Sequence, residues 1–270
     1  MKRLLLTMAL VLGSSVLFAQ NYNKNEVKRL VNFLQQPSAK GGTNADRLEI
    51  SSINSPAAWK GVTWENGHVA TIKWENKDLA GMLDLTGFSG LTSLDCSRNK
   101  ITAILLTSCE AVTEVNVSRN LLTKLDLTGC GSLVKLDCYK NRLTDLEFPA
   151  LPQLKRLNCS NNYFIGLNVS GLASLEWMNT QGCHLESLNI NNCPSLKTLY
   201  AGYNKLTNIM MGGAEKLANI NVDNNDINTM IISKMPNLAN FYCTDNNMTT
   251  LDILNCGALM DVVCSYNNLT

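Results

Sequence analysis

The sequence predicts a solenoid of short stacked coils, mostly β, with a curved parallel sheet on its concave face. Extended or 3-10 segments are expected on the convex face, and a helical cap at the N-terminus. Three observations carry this. Leu91, Val112, Leu133, Leu154, Leu175, Leu196, Leu217, Leu238 and Leu259 fall 21 residues apart without a slip. Three residues after each stands a further apolar side chain, from Leu94 and Val115 to Phe241 and Val262, flanked by polar residues. That alternation is the period of a strand with one buried face. Eight residues after each stands an asparagine, from Asn99 and Asn120 to Asn246 and Asn267, with Cys183 the only departure. A unit this small cannot bury its apolar face alone, so neighbours must stack.

The elements follow in order. Lys2 and Arg3 precede the apolar run Leu4 to Leu12, and Ala19 offers a small residue for cleavage. Residues 1–19 therefore read as a secretory signal peptide, too short to span a bilayer. Residues 20–68 form a cap. Val27, Leu30, Val31 and Leu34 follow the helical spacing, predicting one amphipathic helix over about 26–36 that Pro37 ends. His68 reads as a loop residue. The solenoid runs over 69–270, opening with a 22-residue unit that places Val69, Ile72, Trp74 and Leu79 in the same phases. About ten coils result, the last unfinished at Thr270; at about 4.8 Å per strand the stack is on the order of 45 Å long. An open last strand invites edge-to-edge self-association, or continuation of the natural chain.

Units such as Leu133-Val-Lys-Leu136-Asp-Cys138-Tyr-Lys-Asn141-Arg-Leu143 carry a resemblance. They are similar to bacterial leucine-rich repeats of the internalin type, in length, asparagine and cysteine. The segment Trp59 to Trp64 with Gly67-His68-Val69 resembles the cap of plant-type leucine-rich repeats, with Trp64 where that family carries a cysteine. The resemblance implies a curved solenoid on a bacterial surface whose strand face holds other molecules.

Composition narrows the function. With 17% charged residues and a net charge of +1, the chain lacks the basic stripe that tracks a phosphate backbone, so nucleic acid is not an expected partner. The 34 asparagines concentrate in the repeats, where a side-chain amide can satisfy backbone groups freed at each turn. Cys96, Cys138, Cys159, Cys243 and Cys264 share one phase, and Cys109, Cys130, Cys193 and Cys256 another. Other coils place residues such as Val117, Ala201, Leu151 and Ala214 there. Exchange with apolar residues is what a buried thiol tolerates, so reduced thiols are expected rather than disulfides. No CxxC pair or calcium loop occurs, and no cofactor, metal or catalytic residue is assigned. Cys183 beside His184 is not expected to form a nucleophile and base.

Function is expected on the outward strand face. Tyr139, Trp177, Tyr200, Tyr203, Tyr242 and Tyr266 place exposed aromatics there, as binding hot spots do. Arg98, Arg119 and Lys140 stack like charges in three successive coils, with Asp95, Glu114 and Asp137 expected to neutralise them. Acidic Asp223, Asp245 and Asp261 lie toward the C-terminal coils. The reading is an exported module, secreted, surface-held or periplasmic, that binds an extracellular protein, with no membrane span after cleavage. Alternatives are a glycan-binding module on the same aromatics and a self-assembling structural unit.

Overall fold

The computed structural model describes residues 21–270; the signal-peptide expectation lies outside them. Helix α1 (Lys24–Leu34) starts where the Asn23 side chain accepts from the N–H groups of Asn25 and Glu26. It buries Leu30, Phe33 and Leu34, so it begins two residues before the expected start and stops short of Pro37. A second, one-turn helix, α2 (Asn44–Arg47), is held by a reciprocal cap between Thr43 and Asp46. No apolar period announces it.

The main sheet has eleven strands. Val62–Glu65 pairs antiparallel with His68–Lys73, and from there every strand is parallel to the next, out to Asp261–Val263. The register never slips: Leu94 faces Val115, Val115 faces Leu136, and Leu136 faces Leu157. Each of these is buried. The return side carries shorter parallel sets: Ala80–Asp84 with Lys100–Leu105 and Lys124–Asp126, Gly166–Asn168 with Ser187–Asn189 and Asn208–Met210, and Thr229–Ser233 with Thr250–Leu254. These are the extended convex segments; the one 3-10 helix among the described residues, Pro56–Ala58, lies in the cap instead. The first gap in this second face falls at 145–150.

Two corners turn each coil. One is left-handed at Arg98, Arg119, Lys140, Asn161, Gly182, Tyr203, Asn224, Asp245 and Tyr266, the other at positions such as Ser108, Gly129, Asn192 and Asn255. Beside the first corner the asparagines do structural work. The Asn120 amide donates to the carbonyls of Cys96 (2.9 Å) and Val117 (3.0 Å), while its oxygen accepts from the Ile101 N–H (3.0 Å). Asn141, Asn162, Asn225 and Asn246 repeat these bonds. Cys183 stands in by donating its thiol to the Cys159 carbonyl (3.2 Å), the acceptor an asparagine there would use.

All ten cysteines are free, eight of them buried and Cys256 and Cys264 half-buried. Burial pushes the thiols of Cys96, Cys138 and Cys159 well above their ordinary value, and those of Cys109 and Cys243 up to about 12.

The cap closes the first apolar layer with rings. Phe33 stacks on buried Trp74 at 5.7 Å, whose indole N–H donates to the Lys60 carbonyl. Trp59 and Trp64 pack at 5.9 Å, with Tyr22 edge-on to Trp64. A Cβ on Gly61 would lie 2.4 Å from the Lys73 carbonyl, so only glycine lets the first strand approach. His68 is not a loop residue: it opens the first parallel strand, with Nδ1 2.8 Å from Oε1 of the buried Glu26. The other carboxylate oxygen accepts from the Val69 N–H at 2.7 Å. A charge this deeply placed needs both partners, and they tie α1 to the solenoid.

Candidate interaction surface

Along each main strand the central residue points inward, so its two neighbours form outward rows that run from coil to coil. One row reads Ser93, Glu114, Lys135, Arg156, Trp177, Thr198, Asn219, Asn240 and Asp261. Its members interact in sequence. Lys135 pairs with Glu114 at 2.7 Å and the Arg156 guanidinium lies 4.6 Å from the Trp177 ring centre, while Trp177 also meets Tyr200 of the second row edge-on at 6.0 Å. In the other row Asn116 donates to Asp95 (3.2 Å) and Asn158 to Asp137 (3.3 Å). Between the rows a depression of about 370 Å³ spans five strands and ends at Trp177.

The expected contact residues divide into two groups. Trp177, Tyr200 and Tyr242 lie on main strands, half-buried, and the Tyr242 hydroxyl donates to Asp261 at 3.0 Å. Tyr139 follows its strand, with Arg119 over its ring at 5.2 Å. Tyr203, Tyr266, Arg98, Arg119 and Lys140 are not on the strand face. They occupy the left-handed corner, which forms a ridge alongside the sheet. Nor are the cations of the ridge neutralised as expected. Asp95 accepts from Ser97 and Asn116, Glu114 from Lys135, and Asp137 from the Tyr139 N–H and Asn158. Arg98 instead meets Glu75 at 3.4 Å.

Arg156 and Lys135 were missed, although they share the phase of Trp177 and a comparison of successive units at that one position would have shown them. Cys183 is buried, with its thiol raised to about 11 by that burial, while His184 lies exposed with its ring stacked on Tyr163. Among the described residues no three of His, Cys, Asp and Glu converge as metal ligands would.

Residues 132–174 match the sequence model of Leucine Rich repeats (2 copies). The functional domain of InlJ from Listeria monocytogenes, which includes a cysteine ladder, is similar at 28% identity. The match covers 75% of this chain and 45% of that one, with a TM-score of 0.62. The fold is a leucine-rich repeat solenoid. Internalin C2 of the same bacterium is 20% identical over 92% of this chain and 99% of its own, at a TM-score of 0.52. YopM from Yersinia enterocolitica is 22% identical over 68% and 43%, at 0.54. No curated protein matches in sequence. The chain spans less than half the length of the InlJ and YopM structures. This chain, too, carries cysteines at one phase of successive coils, Cys138 and Cys159 among them. No helix among the described residues is long and apolar enough to cross a membrane.

Proposed function

We propose that this leucine-rich repeat solenoid is an exported recognition module that holds a protein partner against its main-sheet face. The observation that carries the reading is the run Arg156, Trp177 and Tyr200, three large side chains in contact on three successive strands at the end of the depression. Arginine, tryptophan and tyrosine are the residue types that dominate binding energy at protein interfaces. They stand on rigid strands, so little order is lost when a partner docks. The N-terminal basic and apolar run supports export, since partners of such a face would be met outside the cytoplasm.

The test is a screen of the mature chain against extracellular proteins, followed by the triple variant Trp177→Ala, Tyr200→Ala and Tyr242→Ala. Binding should fall by at least about a hundredfold, as removal of more than one hot-spot residue would. The melting temperature should move by only a few degrees, because none of the three is in the core. Retained binding would move the interface elsewhere on the solenoid.

A further inference from the structure

We propose that the corner ridge beside the main sheet, between Arg98 and Lys205, is a docking track for an acidic polysaccharide, a linear glycan carrying carboxylate or sulfate groups. The ridge has two columns separated by the inward asparagines. In the first, Arg98, Arg119 and Lys140 hold left-handed backbone at φ 58°, 54° and 54°. Later coils place Asn161, Gly182, Asn224 and Asp245 there, for which that conformation costs least, along with Tyr203 and Tyr266. Long cationic side chains in a conformation that disfavours them, and one strand spacing apart so that they repel, are not what packing would choose. Among the described residues only Arg98 of the three has a carboxylate partner. The Arg119 guanidinium is steadied over Tyr139.

The second column stands two residues further on. Arg142, Tyr163, His184 and Lys205 occupy it in four successive coils, all exposed. The N–H groups of Arg142, Tyr163 and Lys205 are each bonded to the coil before. The Tyr163 and His184 rings are parallel to within 2° at 5.9 Å, with a cation on either side in the column. Sugars offer C–H faces that stack on such rings, and their acidic groups would pair with the flanking guanidinium and ammonium. An acidic peptide would use the cations and leave the ring pair idle. A nucleic acid would need a field that a chain of net charge +1, with Asp223 and Asp245 further along, does not supply.

The test measures binding of the full chain to polygalacturonate, dextran sulfate, neutral dextran, poly-glutamate and poly-uridylate, at low and physiological salt. Binding to at least one of the two acidic glycans, weakened by salt and absent with neutral dextran, is expected; which of the two binds distinguishes carboxylate from sulfate. The double variant Arg119→Asn with Lys140→Asn should weaken it by about tenfold or more, as loss of two charge-assisted contacts would. Since asparagine suits the left-handed corner, its melting temperature should hold or rise, which separates lost contact from lost fold. Tyr163→Ala should weaken binding severalfold, whereas Trp177→Ala should leave it unchanged, keeping this site distinct from the main-sheet face. The proposal is overturned by no acidic-glycan binding, by indifference to the double variant, by poly-glutamate binding as tightly without sensitivity to Tyr163→Ala, or by a preference for poly-uridylate.

Discussion

From Leu91 on, in every coil but that of Cys183 one inward asparagine bridges backbone groups at the turn: Asn120 holds the Ile101 N–H and shares the Cys96 and Val117 carbonyls with Asn99 and Asn141. Asn120→Leu keeps the volume, loses these bonds and strands the buried Ile101 N–H, so a loss of about 1–3 kcal/mol in a denaturant melt is expected. Arg119→Asn should act in the opposite sense, gaining up to about 1 kcal/mol by relieving the left-handed corner. The thiols add a pH dependence. Their folded pKa values lie above the ordinary 9.0, near 11 for Cys130 and Cys183 and near 12 for Cys109 and Cys243. The unfolded chain therefore releases these protons first as pH rises. The thiols' contribution to stability is level below about pH 9 and falls progressively from there toward pH 12, a trend thermal melts across the alkaline range would show. Thiol reagents should label Cys256 and Cys264 in the native protein and the other cysteines only after denaturation.

At the level of elements, the strands were legible because a two-residue alternation recurs at one phase in every unit; each repetition confirms the last. The cap was only half legible. α1 showed its face through Leu30 and Leu34, but α2 is held by one Thr43–Asp46 cap, and the Glu26–His68 link is a long-range pair with no local signature. The ridge misled for a related reason. Alternation suggests that residues at the corner continue the strand face, whereas left-handed φ turns them aside, and a corner occupied by Arg, Lys, Asn, Gly, Tyr and Asp has no single residue type to mark it. The rings of the cap give a further expectation. Phe33→Ala opens a hole against Trp74 and should cost about 3–5 kcal/mol, read as a lower melting temperature and earlier Trp74 exposure in fluorescence.

On the scale of the molecule, stability is a sum over coils and the contacts between adjacent ones. Main-strand pairing reaches only the coil before and the coil after, and the irregular pairing at Gly81 and Met82 shows where the longer first unit is accommodated. Deleting 112–132 would rejoin Ala111 to Leu133 and bring every column back into step, whereas deleting one residue fewer would set Lys135 against Leu94 and Asp137 against Cys96. The first variant should fold cooperatively and the second should not, as circular dichroism melts would report. Such whole-unit exchange makes reach a heritable quantity: gain or loss of segments 21 residues long lengthens or shortens the molecule in quantised steps, leaving its interior grammar untouched.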